Sequence, residues 1–337
     1  MARMSVEHPF ASVLRTIGRG PRLSRSLDMG EARAAMAAIL AGSAEPLQVG
    51  GFLLLLRQRG ETAAELAGFV AAARDRLTID QDAARVDLDW PSYADRHRQQ
   101  PWFALAALLL ARNGLRILMH GVEGAAEGHA PTRPVLAALG VPICTSTAQV
   151  AAAIGRGNIA YVGLEHMAPD VARLLDLRAK LGVRTVANSF ARALNPLRAP
   201  AQLQGVFHPP YRTLHCEAAL LIGQPRAAVF KGGAGEAQRN PLKPCQVSWL
   251  RDGASGDEEW PALLPDDAYA WRDEDLRPDA AVALWRGEIA LPAPAAAVTG
   301  TAAIALKLTG RAATMSEAQA LAETMWRGRA ATRRRAV

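Results

Sequence analysis

Apolar positions in the first quarter of the chain recur with the 3.6-residue period of a helix. In LDMGEARAAMAAILAG, Met29, Ala32, Met36 and Ile39–Leu40 share one face, and Gly42 supplies the stop. PLQVGGFLLLLRQRG follows, with Pro46 suited to a first helical turn and Gly60 to a C-cap. GETAAELAGFVAAARDRL opens with Thr62 and Glu65 at capping-box spacing. Residues 8–76 therefore read as helices. They are too few to close a large core, so they are expected to pack on another part of the chain or on a second subunit.

From about residue 103 the pattern changes to helices alternating with short apolar runs. FALAALLLARNG predicts a buried helix closed by Gly114, and LRILMHG a strand running into a glycine turn. RPVLAALG and AQVAAAIGRG read as helices, NIAYVGL as a strand, PDVARLLDLRAKLG as a helix and VRTVAN as a strand or strand end. RTLHCEAALLIG predicts a helix, AAVFKGG and QVSWLRDG strands, and SEAQALAETMWRGRAATRRR a last helix. Residues 252–298, rich in Asp, Pro and Ala, are expected to be irregular. Such alternation implies an α/β fold with a mostly parallel central sheet behind a small helical N-terminal domain. The boundaries expected are 1–80 for the helical domain and 81–337 for the α/β domain.

Composition agrees with a globular chain: of 337 residues, 50% are hydrophobic and 21% charged, which argues against disorder. No apolar run reaches the length of a membrane span and the N-terminus shows no secretory h-region, so a soluble, cytoplasmic protein is expected. Cys144, Cys216 and Cys245 lack metal or disulfide spacing and read as buried reduced thiols. Charge is more telling. The net charge is +7, yet residues 252–280 alone contribute −8, leaving +15 on the remainder. Gathered on one face, that excess would favour a polyanion. Arginines outnumber lysines 35 to 4, and the guanidinium fork suits phosphate oxygens.

Two stretches carry a family likeness. ILAGSAEPLQVGGFLLLLRQRGETAAELAGFVAAAR resembles the N-terminal helical domain of the anthranilate phosphoribosyltransferase (TrpD) and nucleoside phosphorylase superfamily, glycosyltransferase family 3. RAKLGVRTVANSFARALNPLRAPAQLQGVF resembles that family's most recognisable block, running here from Arg178 through Asn188 to Asn195–Pro196. Met119–Gly121 stands where the family has Lys-His-Gly-Asn. The likeness implies a helical domain joined to a large α/β domain, dimerising through the helical domains. It also implies a pyrophosphate held by a Gly-Thr-Gly-Gly-Asp loop, with magnesium on a later Asp-Glu pair. Glycine turns suit that task because bare backbone N–H groups can approach phosphate.

This chain departs from the pattern at each element. The loop should fall at residues 87–102, and DLDWPSYADRHRQQPW contains no glycine; Trp90, Pro91, Tyr93 and Trp102 fill space instead. Met119 replaces the lysine, and GGAGEAQRNP offers only Glu236 where the acidic pair belongs. In these respects the chain resembles the YbiB-type branch of the superfamily, which implies dimeric, sequence-independent nucleic-acid binding. The function expected is a non-sequence-specific nucleic-acid-binding protein on a degenerate phosphoribosyltransferase fold, with no catalytic residues, no metal and no cofactor. Its partners would be the phosphate backbone of DNA or RNA and a second copy of itself, not a membrane. The alternative is a glycosyl- or phosphoribosyltransferase with an altered anion site, using magnesium and phosphoribosyl pyrophosphate.

Arg173, Arg178, Lys180, Arg184, Arg192 and Arg198 fall in one 26-residue window with Asp176 as its only acid, and Arg333, Arg334 and Arg335 end a basic tail that also holds Arg327 and Arg329. These are the expected phosphate contacts. Arg15, Arg19, Arg22 and Arg25 make a third cluster. By the family likeness, Arg178 also matches the arginine that meets an aromatic acid's carboxylate. With His120, Gly121, Asn188, Gly232 and Gly233 it makes up the expected vestigial anion pocket.

Overall fold

The computed structural model describes residues 7–20, 22–94, 99–122, 132–271 and 274–329. They form two compact units, one running to Leu77 and including Ala168–Leu194, the other Thr78–Met167 with Asn195 onward. The helical unit thus takes a second segment beyond the 1–80 read from the sequence. Among the described residues no helix is long and apolar enough to cross a membrane.

In the helical unit the predicted helices form at Met29–Leu40, Pro46–Arg59 and Ala63–Arg74, preceded by Ala11–Gly18. The Thr62–Glu65 capping box is present, and the same Glu65 carboxylate, fully buried, also accepts the Leu27 N–H at 2.9 Å and pairs with Arg59. One side chain therefore starts a helix and anchors the segment before another. Phe10, Phe52, Phe69 and Phe190 make a line of ring contacts with centroids 5.7, 5.9 and 6.1 Å apart, which ties the second segment into the core. That segment holds Pro169–Asp176, Arg178–Leu181 and Ala187–Phe190. VRTVAN is therefore not a strand: the Thr185 hydroxyl accepts from Ala187 N–H and the Asn188 side chain from Thr185 N–H, turning the backbone into a short helix.

The α/β unit is built on eight strands: β1 (Leu88–Ser92), β2 (Ile117–Gly121), β3 (Ile143–Cys144), β4 (Ile159–Gly163), β5 (Ala201–Val206), β6 (Arg226–Lys231), β7 (Cys245–Arg251) and β8 (Ala254–Trp260). Their order is β3-β4-β2-β1-β5-β6-β7-β8, parallel except where β7 and β8 fold back antiparallel. Four strands were not anticipated, the two-residue β3 among them. β5 lay inside a family block, β8 is a charged edge strand in the supposedly irregular region, and β1 is DLDWPS itself. That region also forms helices Pro278–Arg286 and Pro292–Leu308, the second buried for most of its length. Its alanines allow close packing in the core, so composition misled.

β1 reads poorly as a strand because Asp and Pro disfavour sheets. It is tolerated at the centre because β1 pairs with β5 only at Leu88 and Asp89, so Pro91 lies beyond the last of those pairs. Leu88, Trp90, Ile117, Met119, Ala201 and Leu203 share one apolar face and pack against Phe103–Arg112 and Pro292–Leu308. The opposite face at the same level carries Asp89, His120, Gln202 and Gln204, all fully buried. The three cysteines are free and buried, and burial pushes the Cys245 thiol up to about 11 and that of Cys216 to about 12, so both stay protonated.

Gly68 gives a test of helix packing. A Cβ there would lie 2.5 Å from the Met29 carbonyl oxygen and 2.8 Å from Arg33 N. Gly68→Ala gains about 1 kcal/mol of helix propensity, but backbone cannot yield as a side chain does, so overpacking of about 1–3 kcal/mol or more wins. Urea unfolding should show a net loss of stability.

Candidate functional site

In a parallel sheet, ligands collect at the C-terminal ends of strands where the strand order reverses direction. Here that point lies between β1 and β5. It is closed by the chain itself.

Beyond β1, the backbone N–H of Ala94 is received by the Glu236 carboxylate at 2.6 Å, and the Ser92 hydroxyl lies 3.2 Å from the same oxygen and 2.9 Å from the Thr132 hydroxyl. The N–H of Phe103, at the start of the next helix, is received by the Gln238 side-chain oxygen at 3.1 Å. Two backbone donors suited to an anion are therefore satisfied by Glu236 and Gln238. Ser92, Ala94, Glu236 and Gln238 are all buried.

Beneath this closure runs a buried polar chain. The Tyr93 hydroxyl lies 2.8 Å from His120 Nδ1, and His120 Nε2 lies 3.1 Å from Asp89. Gln202 donates to Asp89 at 2.7 Å, Gln204 donates to Gln202 at 2.6 Å, and His215 Nδ1 lies 2.7 Å from Gln204 Oε1. With Asp89 as acceptor, His120 carries its proton on Nε2 and receives the Tyr93 hydroxyl on Nδ1. His120 is thus engaged on both nitrogens. The expected space-filling role falls to Tyr93 and Glu236. Trp90 instead stacks on Phe103 under the sheet, and Trp102 donates to Glu274 at 2.6 Å.

Gly121 and Gly232 of the expected pocket have packing roles, as does Gly205 in β5. A Cβ on Gly121 would collide with the Ser92 carbonyl, one on Gly205 with the Glu236 backbone, and one on Gly232 with the Glu236 carbonyl. The N–H of Gly232 is bonded to Val206 O and that of Gly233 to Gln238 O at 2.8 Å. As an anion nest these two glycines therefore have no free N–H to offer. Magnesium would want neighbouring carboxylates. Among the described residues no group of three His, Cys, Asp or Glu side chains could hold a metal, and the one acid after β6, Glu236, is committed to Ala94 and Ser92. Among the described residues, the side chains at this point do not form a metal–pyrophosphate site.

The predicted basic ridge is divided. Arg173, Arg178, Lys180, Arg184 and Arg192 belong to the helical unit and Arg198 to the α/β unit. Arg173 is exposed and paired with Asp170, which also holds Arg76 at 2.5 Å. Those two guanidiniums hold the Asp170 carboxyl below its usual range against the opposing effect of burial. Arg178 and Arg184 are half-buried and engaged within the protein. Arg192 donates to Asn188 O, Arg198 to Gln81, and Lys180 is exposed. Arg96, His97, Arg98, Arg333, Arg334 and Arg335 lie outside the described residues. Sequence reasoning missed Glu236 as the closing group and Gln238 as the helix cap, because both act on backbone more than 130 positions away.

Comparison with known proteins supports the fold and the family. Residues 11–77 match the model for the helical bundle domain of a glycosyl transferase family, and residues 104–331 match its a/b domain. Anthranilate phosphoribosyltransferase of Methylocella silvestris is 32% identical over 230 residues, which are 68% of this chain and 65% of the relative, just under two thirds of its length. An Escherichia coli K12 protein called uncharacterized protein YbiB is 28% identical over 72% of this chain and 77% of its own. Among solved structures, anthranilate phosphoribosyltransferase (TrpD) from Thermus thermophilus superposes with a TM-score of 0.78 at 27% identity, covering 91% of this chain and 93% of that one.

Replacing Glu236 by Ala strands the Ala94 N–H in a buried setting, at a cost of about 1–3 kcal/mol for a buried donor left unmade, while the Ser92 hydroxyl keeps Thr132. Urea melts should show Glu236→Ala clearly less stable than the parent, with Glu236→Gln, which keeps a carbonyl acceptor, in between.

Proposed function

Since the chain belongs to this glycosyl transferase family, we propose that it keeps the family's phosphoribosyltransferase-like fold and uses it to bind nucleic acid through backbone phosphates, without sequence preference. The observation that carries this reading is the closed switch point: the backbone donors suited to a pyrophosphate are held by Glu236 and Gln238, while a net charge of +15 sits outside the acidic stretch 252–280. Transfer chemistry depends mainly on preorganised groups around developing charge. Polyanion binding needs only several exposed cations.

In this reading the contacts come from Arg173, Lys180 and Arg198, whose side chains are at the surface, from Arg178, Arg184 and Arg192 by exchange of partners, and from Arg333, Arg334 and Arg335 of the tail. The protein would act as a cytoplasmic homodimer joined through its helical domains, which doubles the cationic surface.

A second reading is favoured by the relatives: a phosphoribosyl- or glycosyltransferase with an altered anion site, supported by 32% identity to an anthranilate phosphoribosyltransferase. In that reading Arg178 and Asn188 belong to the acceptor side, and magnesium with phosphoribosyl pyrophosphate would have to find ligands other than Glu236.

Fluorescence titration against random-sequence DNA at several salt concentrations separates the two. The expected result is binding at low salt whose log affinity falls linearly with log salt, by about 0.9 per phosphate contact; Arg173→Gln with Lys180→Gln should flatten that slope. Calorimetry with phosphoribosyl pyrophosphate and magnesium should show no tight, metal-dependent binding. Salt-independent or absent DNA binding overturns the first reading, and tight metal-dependent binding of the pyrophosphate establishes the second.

A further inference from the structure

A concavity of about 430 Å³ opens beyond the ends of β5 and β6 and shares Gly232, Gly233 and Gln238 with the closed switch point. Its lining brings together Arg212, Lys231, Arg239, Lys243 and Trp271 from four separate stretches of chain. Three of these present a buried donor atom with no acceptor among the described residues: Arg212 Nη1, Arg239 Nε and Trp271 Nε1. Every unpartnered buried side-chain atom lining this cleft is a donor. Buried polar groups are normally paired, so donors alone imply a partner that only accepts, and an oxyanion is such a partner.

Arg239 sharpens the case. Its side chain is 1% exposed, and no carboxylate among the described residues pairs with it. Burial lowers its hold on its proton, and its contacts are the Pro261 carbonyl and the face of Trp260, 5.5 Å from the ring centroid. Gly300, inside Pro292–Leu308, leaves room for it: a Cβ there would lie 3.0 Å from Arg239 Cδ. A charge taken this far from water without a counter-charge is costly. Lys231 stands exposed at the mouth, and Lys243 is 3.6 Å from Asp266, a solvent-exposed pair that can exchange partners.

We propose that this cleft is a binding site for the terminal phosphate of a small organic phosphate about the size of a nucleoside monophosphate. The volume suits such a molecule. The recessed position of Arg239 suits a terminal phosphate, which can reach inward, over a phosphodiester flanked on both sides by sugars. The site therefore stands apart from the nucleic-acid surface proposed above and does not rest on it.

The test is calorimetry on the full chain at about 0.15 M ionic strength, where long-range steering is screened, with adenosine 5′-monophosphate, inorganic phosphate and adenosine as probes. The monophosphate and phosphate should bind and adenosine should not. Arg212→Gln combined with Lys231→Gln, both at accessible positions that leave the core intact, should weaken the monophosphate at least tenfold, while the surface control Arg286→Gln leaves it unchanged. Equal binding of adenosine, unaltered affinity in the double variant, or stoichiometric displacement of the monophosphate by a single-stranded oligonucleotide overturns the assignment. A chain that ignores DNA yet binds the monophosphate would defeat the nucleic-acid reading and leave this one standing.

Discussion

The rest of the α/β unit depends on one buried carboxylate. Glu236 reaches across from the turn after β6 to take the amide of Ala94 and the hydroxyl of Ser92, and so pins the end of β1 to a segment more than 140 residues away in the chain. The contact is possible only because the backbones meet closely. Gly121, Gly205 and Gly232 lie where any side chain would collide with Ser92 or Glu236. Gly121 and Gly232, expected in an anion pocket, are here, together with Gly205, the condition for packing strand ends together.

This closure has a chemical consequence. Backbone N–H groups at strand ends and helix starts recognise anions because their donors are otherwise unmet. In this protein Glu236 and Gln238 meet them, so an incoming phosphate would have to displace acceptors already in place. The polar chain from Tyr93 through His120, Asp89, Gln202 and Gln204 to His215 lies below, fully enclosed. Each of its bonds contributes about 1 kcal/mol net, and breaking one inside the core costs more because a polar group is left unmet. Asp89 is held there by His120 and Gln202, on the sheet face opposite the apolar one formed by Trp90. The strand needs both, and strict alternation supplies both.

Cationic character is distributed over two kinds of place. Arg173 is itself exposed, though its partner Asp170 is largely buried, so the arginine loses little solvation on meeting a phosphate. Arg239 is the opposite case, enclosed and without a counter-charge, and its environment selects for an oxyanion far more strongly than any exposed side chain does. The relatives share the fold that makes both possible.

Local order in the sequence determined a good deal. Helical periods, the Thr62–Glu65 capping box and glycine stops placed the helices, and the spacing through Arg178, Asn188 and Asn195 carried the family, because these are short-range patterns in which neighbours constrain one another. The absence of glycine in DLDWPSYADRHRQQPW already argued against a pyrophosphate turn. Only the tertiary structure decided how that turn is replaced. DLDWPS became a central strand against its own propensity, since β2 pairs along its whole length while the β5 pairing ends at Asp89, short of Pro91. Pro292–Leu308 became a buried helix because its alanines pack closely in the core cluster that holds Trp90. Glu236, Gln238 and Arg239 took their roles from partners brought together by β1, β5 and β6, across distances in sequence that no local pattern spans.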